Sequence, residues 1–137
     1  MNIDNLLLEL KEHEGFSGIP YNDSLGNQTI GFGTLLPLSK VEATVLLRMR
    51  LLNKEEELII KEPRYLNLKD EVKEIILNMA YNIGVAGVMK FRKMWLALED
   101  HDYEKASKEM LASKWHIQVP NRAEKLAGKM KKIKDLY

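Results

Sequence analysis

The stretch that decides the fold is residues 13–34, HEGFSGIPYNDSLGNQTIGFGT, because it interrupts a chain whose hydrophobic pattern is otherwise helical. It holds five of the eight glycines of the chain. Asn22-Asp23-Ser24 adds residue types that are typical of turns. We therefore expect a small β element here, with one strand leading into Tyr21, a turn, and a second strand over residues 28–32.

Helical periodicity predicts the elements on both sides of this β region. The first helix is expected over residues 3–14 and ends at Gly15. Ser39 and Glu42 form a capping box, which predicts the start of a long helix that Pro63 stops. Further helices are expected over residues 68–83, 85–98, 103–110 and 120–136. The sequence thus predicts an α+β chain that is mostly helical.

The predicted elements define one domain over residues 1–137. Its expected parts are the first helix at 1–14, a β flap lobe at 15–37, a long connecting helix at 39–61 and a helical lobe at 66–137.

The charge of the chain is balanced overall but divided along its length. The 137 residues include 21 Lys and Arg against 20 Asp and Glu, a net charge of +1, which argues against a general nucleic-acid binder. Residues 1–36 carry one base and five acids, a net of −4, whereas residues 114–137 carry seven bases and two acids, a net of +5. We expect the two ends to attract each other, or the basic end to meet an acidic partner.

The absence of cysteine excludes several kinds of site. With no cysteine, the chain has no disulfide scaffold, no Cys-ligated zinc site and no thiol nucleophile. His13-Glu14 begins like the zinc-binding motif His-Glu-x-x-His, but position 17 is serine instead of the second histidine. We therefore expect neither a metal nor a cofactor, and paired carboxylates remain the strongest candidates for chemistry.

Glu14 occupies an unusual position on the first helix. At about 100° per residue it falls within the apolar stripe of Ile3, Leu7 and Leu10. It also ends the helix, where the macrodipole disfavours negative charge. Burial and the dipole would both favour the protonated carboxyl, which general-acid catalysis requires. In the alternative interpretation the helix ends one residue earlier and Glu14 turns into solvent.

Asp23 supplies a second carboxylate nine residues later, in the predicted turn. A solvated aspartate there stays ionised at neutral pH, so the pair resembles the acid and base of glycoside hydrolysis. Thr29 follows on the returning strand, where its hydroxyl could orient a water molecule. Asp23 could equally be an ordinary turn residue.

Arg122 begins the last predicted helix, where an acidic residue would suit the dipole better. Pairing with Glu14 would explain this placement and would join the acidic front of the chain to its basic end. A solvated arginine on a basic helix is the alternative.

Several blocks of sequence carry a resemblance to one family, namely residues 13–16, 21–26 and 29–33, residues 78–84 with Gly87, and residues 113–115 with 118–123. In this order they resemble the phage-type lysozymes, the endolysin muramidases that include the T-even phage enzyme. The resemblance spans essentially the whole chain. It implies a lysozyme-like fold in which a small β-hairpin lobe and a helical-bundle lobe flank a cleft.

The resemblance also implies roles for individual residues. Glu14 would be the general acid, Asp23 the base or electrostatic stabiliser for the attacking water, and Thr29 the residue that positions that water. Leu35 and Tyr81 match positions that line the saccharide site in the family. The residues expected to support the site are Arg122, Gln118, Asn121 and Trp115.

The function implied is hydrolysis of the β-1,4 bond between N-acetylmuramic acid and N-acetylglucosamine in peptidoglycan, with inversion, for bacterial lysis. The expected partner is the glycan strand alone, bound by a monomer without nucleic acid or membrane insertion. A non-catalytic peptidoglycan-binding or phage structural module of the same fold is one alternative, and a lytic transglycosylase is another.

The opening of the chain has no apolar run long enough for a secretory signal or a membrane span. Together with the resemblance, this predicts a protein that stays in the host bacterial cytoplasm until a holin releases it to the cell wall.

Overall fold

The computed structural model describes residues 1–134, and the chain divides into two compact units, Met1–Leu47 and Arg48–Tyr137. The boundary falls within one long helix. The predicted end of the long helix, at residue 61, agrees with the structure. The predicted end of the last helix, at residue 136, lies beyond the observed one. That the two units make a single domain stays a prediction.

The first unit begins with helix α1, Ile3–Glu14, as predicted. Its start is fixed by Asn2, whose side-chain oxygen accepts a hydrogen bond from the backbone N–H of Asn5 at 3.0 Å. Its end is fixed by Gly15, which adopts φ +68° in the region that favours glycine. Local signals at both ends of α1 therefore determine where Glu14 stands.

A three-stranded antiparallel sheet follows, with strands β1 (Ser17–Asn22), β2 (Gln28–Gly31) and β3 (Thr34–Leu35) in the order β1-β2-β3. β1 and β2 confirm the predicted hairpin, although β2 ends at Gly31 and not at residue 32. β3 was not predicted, since only two residues form it. Thr29 lies in the central strand, opposite Tyr21 on one side and Leu35 on the other.

Helix α2, Lys40–Lys61, begins with the predicted capping box. The backbone N–H of Ser39 donates to Oε1 of Glu42 at 2.9 Å, and the backbone N–H of Glu42 donates to Oγ of Ser39 at 3.1 Å. The helix ends before Pro63, as expected.

The second unit is helical. After a short 3₁₀ helix, Pro63–Asn67, come α3 (Asp70–Met89), α4 (Arg92–Glu99), α5 (Tyr103–Leu111), α6 (Lys114–Gln118) and α7 (Pro120–Lys131). Their apolar faces form a core whose largest fully buried side chains include Trp95, Tyr65, Leu58, Ile76 and Met79.

Two predicted helix boundaries are wrong in this unit. The helix expected over residues 85–98 is broken between Met89 and Arg92, although Gly84 does interrupt the helical backbone at φ +80°. The indole N–H of Trp95 donates to the carbonyl of Val88 at 3.1 Å, so tertiary packing occupies a carbonyl at the end of α3. The last helix ends at Lys131 and not at residue 136, and residues 135–137 lie outside the described part of the chain.

The fold class is therefore α+β and mostly helical, as predicted, with a small antiparallel sheet. Within residues 1–134, none of the helices combines the length and the apolar character that a membrane span needs.

Candidate active site

Glu14 lies against the turn that joins β2 to β3. A Cβ atom built on Gly33 would lie 2.6 Å from Oε2 of Glu14 and 2.8 Å from its Cδ. Real side chains do not approach this closely, so the carboxyl occupies space that any other residue at position 33 would fill. Gly33 also adopts φ +73°, a backbone conformation that favours glycine.

Aromatic and cationic contacts hold this turn beside the end of α1. The rings of Phe16 and Phe32 lie 5.3 Å apart between centroids. The ammonium of Lys11, one turn before Glu14, lies 5.5 Å from the centroid of Phe32. Because Phe32 precedes Gly33, these contacts bring the glycine to the Glu14 carboxyl.

Glu14 is exposed, so the expectation that its carboxyl is buried in the apolar stripe of α1 is wrong. None of the residues of α1 is buried. Glu14 is the last residue of α1, as expected, and lies at the negative end of the helix dipole.

Asp23 is held by the backbone of its own turn. Its Oδ1 accepts the backbone N–H of Leu25 at 2.9 Å and that of Asn27 at 2.8 Å, and its Oδ2 accepts the side-chain amide of Asn27 at 3.4 Å. These hydrogen bonds, above all the one from the Asn27 backbone, stabilise the charged form and lower the pKa of Asp23 from its ordinary value. Asp23 is therefore an oriented carboxylate at neutral pH.

Asn27 links Asp23 to Thr29. Its carbonyl accepts the backbone N–H of Asp23 at 2.9 Å and the hydroxyl of Thr29, also at 2.9 Å. The hydroxyl of Thr29 has thereby used its one donor. Thr29 is only 2% exposed. Its hydroxyl and the backbone N–H of Asp23 are both held by the carbonyl of Asn27.

In the second unit, two asparagines of α3 accept hydrogen bonds from two of the predicted supporting residues. The Nε–H of Arg122 donates to Oδ1 of Asn78 at 2.9 Å. The indole N–H of Trp115 donates to Oδ1 of Asn82 at 2.8 Å, and Trp115 is buried. Arg122 thus has a hydrogen-bond partner on α3, and its predicted pairing with Glu14 stays a prediction.

The other predicted residues lie on the surface of their units. Gln118 and Asn121 are exposed at the junction of α6 and α7. Leu35 is exposed on β3 and Tyr81 on α3, which leaves both side chains available to a ligand. Their role in saccharide binding stays a prediction.

His116 ties α6 to its neighbours. Its Nδ1 lies 3.0 Å from the carbonyl oxygen of Leu111, and its Nε2 lies 3.1 Å from Oε1 of Glu124. Both partners are acceptors, so only the protonated ring satisfies both contacts. Glu124 and, to a lesser extent, the Leu111 carbonyl raise the pKa of His116. His116, the residue after Trp115, therefore satisfies both contacts only when its ring is protonated. We call these two contacts the His116 clamp.

Comparison with known proteins identifies the family of the chain. The family described as phage lysozyme matches residues 11–133. The chain belongs to the phage lysozyme family. It is also similar to the probable T4-type lysozymes 1 and 2 of Dictyostelium discoideum. Each relative is 26% identical over 149 residues, an alignment that covers 85% of this chain and 88% of the relative.

Sequence reasoning missed three asparagines that bind candidate residues, one in the first unit and two in the second. Asn27 holds Asp23 and Thr29, Asn78 holds Arg122, and Asn82 holds Trp115. Asn27 sits four residues after Asp23, a spacing at which a turn aspartate accepts backbone hydrogen bonds, and that spacing was the available signal. The two on α3 had no such signal, because their partners lie 33 and 44 residues away.

We expect Asp23 to titrate below its ordinary pKa of about 3.9. In Asn27→Ala, the loss of the side-chain amide should raise that pKa in part, because the backbone donors of Leu25 and residue 27 remain. Carboxyl ¹³C NMR titration measures both values, and Ser24→Ala is the control. A wild-type Asp23 that titrates at or above its ordinary value would contradict this geometry.

The His116 clamp should make stability depend on pH. A pKa raised in the folded state gives stabilisation that is complete below the unfolded pKa of about 6.5 and is lost as pH rises through the folded pKa. His116→Gln should therefore lower the thermal midpoint by a few degrees at pH 5 and by less at pH 9. His13→Gln, at an exposed position on α1, is the control. An equal loss at both pH values would show that charge is not involved.

Proposed function

We propose that this protein hydrolyses peptidoglycan at the β-1,4 bond between N-acetylmuramic acid and N-acetylglucosamine. One observation carries the proposal: in a phage lysozyme family chain, the first unit holds Glu14 against Gly33 and also contains the hydrogen-bonded turn of Asp23, Asn27 and Thr29. A glycosidase of this kind needs one carboxylic acid and one carboxylate, each in a fixed orientation.

Glu14 is proposed as the general acid that protonates the glycosidic oxygen. Its place as the last residue of α1, beside the turn that carries Gly33, supports this role. Its exposure leaves the carboxyl accessible to a polysaccharide. The contact with Gly33 limits the rotamers from which the proton can be delivered.

Asp23 and Thr29 are proposed to act together on the attacking water. Thr29 would accept a hydrogen bond from that water through its free lone pairs, while Asp23 presents a carboxylate. Because its pKa is lowered, Asp23 is a weak base, and its carboxylate stays ionised at neutral pH. This favours electrostatic stabilisation of the developing positive charge on the sugar as part of its role. Water attack opposite the leaving group would invert the anomeric centre.

The remaining roles follow from the family resemblance. Leu35 and Tyr81 are proposed to contact the saccharide, and Arg122, Trp115, Gln118 and Asn121 to support the site. We propose that the protein acts in bacterial lysis as a monomer and reaches the wall after a holin opens the membrane.

Carboxamide variants test the two carboxyl roles. Glu14→Gln should reduce the rate at which a peptidoglycan suspension clears by a factor of about 10²–10⁴, the usual contribution of a general acid. Asp23→Asn should cause a loss of similar size, because the amide carries no charge. Glu9→Gln, an exposed acid of α1, is the matched control and should keep the wild-type rate. Clearing by Glu14→Gln at the wild-type rate would refute the mechanism.

Analysis of the product ends, on the same digests, identifies the reaction. Hydrolysis leaves reducing ends, whereas a lytic transglycosylase leaves anhydro-muramyl ends. Binding to glycan strands without any product would instead indicate a non-catalytic module. We expect reducing ends only.

Gly33→Ala tests the position of the Glu14 carboxyl. The added Cβ should displace the carboxyl and reduce the rate by about 10²-fold, as a misplacement near 1 Å can. Gly31→Ala is a close control, since Gly31 has a similar φ of +70° but no atom within 4 Å of its built Cβ. Both variants should lose comparable stability, and only Gly33→Ala should lose most activity. Equal activities would show that Glu14 does not need this contact.

A further inference from the structure

The second unit carries a basic groove whose cations have no role in the proposed chemistry. Lys90, Arg92, Lys93 and Lys114 line it, and Phe91 and Trp115 form part of its wall. The groove has a volume of about 530 Å³. Its cations come from two places in the sequence: residues 90–93, which include the first two residues of α4, and Lys114, the first residue of α6. The fold thus gathers these charges on one surface.

The cations of the basic groove have no salt-bridge partner in the part of the chain that the structure describes. All four cationic residues are exposed, and within residues 1–134 none of them forms a salt bridge. Arg64 shows the contrast, because Glu62 and Glu99 both pair with it. Glu109 is the one acidic residue among those that line the groove, which leaves a net charge of +3 there.

The groove has features that suit an extended anion. Phe91 and Trp115 pack edge to face with centroids 6.0 Å apart, which gives the wall a rigid part. Arg92 offers the planar fork that binds phosphate through two parallel hydrogen bonds, and the three lysines add point charges.

We propose that the basic groove binds a wall polymer with a repeating phosphodiester backbone. Several unpaired cations around one groove match a ligand with regularly repeated charges better than the isolated carboxylates of a peptide. The choice of a wall polymer rests on the proposed hydrolysis of peptidoglycan. The overall net charge of only +1 disfavours nucleic acid, the other phosphodiester polymer. Binding at this groove would retain the protein on the wall without taking part in bond cleavage.

The test compares two variants that lose the same charge. In the groove variant, Lys90, Arg92 and Lys93 are each replaced by Gln. In the control variant, three exposed lysines elsewhere in the second unit, Lys105, Lys125 and Lys131, are replaced by Gln. The affinity for purified poly(glycerol phosphate) is measured by calorimetry at low and at physiological salt.

The wild type should bind this polymer, and added salt should weaken the binding. The groove variant should bind about tenfold more weakly, roughly a factor of two for each cation removed, while the control variant stays within about twofold. The single substitution Lys114→Gln, which removes the groove cation of α6, should weaken binding of the polymer about twofold. Equal losses in the two triple variants would overturn the proposal, as would equal or tighter wild-type binding of a single-stranded nucleic acid with the same number of phosphates.

Hydrolysis of peptidoglycan stripped of phosphate polymer separates this proposal from the proposed function. The groove variant should clear stripped walls at the wild-type rate. Clearing by the wild type without polymer binding would overturn the groove proposal alone. Polymer binding without hydrolysis would support the groove and overturn the proposed function.

Discussion

A Cβ at position 33 would lie 2.6 Å from Oε2 of Glu14, so the carboxyl can occupy its place only while that residue is glycine. The Glu14 carboxyl at the end of α1 therefore fills the space left by the missing side chain of Gly33, in the turn between β2 and β3. Gly15 stops the helix at Glu14, and the Phe16, Phe32 and Lys11 contacts hold the turn beside it. The proposed acid thus depends on backbone geometry more than on hydrogen-bond partners.

Asp23, the proposed second carboxylate, is held by hydrogen bonds. Asp23 is surrounded by donors, two from the backbone and one from the Asn27 side chain, and its low pKa is a consequence of them. Thr29 depends on the same asparagine through its carbonyl. One short turn thereby sets both the charge of Asp23 and the orientation of the hydroxyl. Glu14 and Asp23 thus lie in different surroundings, as the acid and base of a glycosidase do.

Local signals were sufficient for much of the fold. Asn2 and Gly15 bound α1, and Ser39 with Glu42 starts α2, because each uses hydrogen bonds between residues close in sequence. The break between α3 and α4 could not be predicted in this way. No glycine or proline lies between Met89 and Arg92, and the indole of Trp95 interacts with Val88 only in the folded unit.

For the candidate site, residue types, spacing and the family resemblance together predicted Glu14, Asp23 and Thr29, and their roles stay predictions. The expected burial of Glu14 was wrong. A helical wheel shows which residues share a face, but it does not show that another element covers that face. Asn27 was missed because asparagine in a turn is ordinary, and its importance appears only through its contacts.

The central claim is that an acid and an oriented water act on opposite faces of the sugar. The most direct test is the anomeric form of the product immediately after cleavage, followed by ¹H NMR on purified glycan strands before mutarotation. Direct attack by water on the β-linked substrate predicts that the α-anomer of the new reducing end appears first. Initial formation of the β-anomer would contradict the claim, because it would require a covalent intermediate.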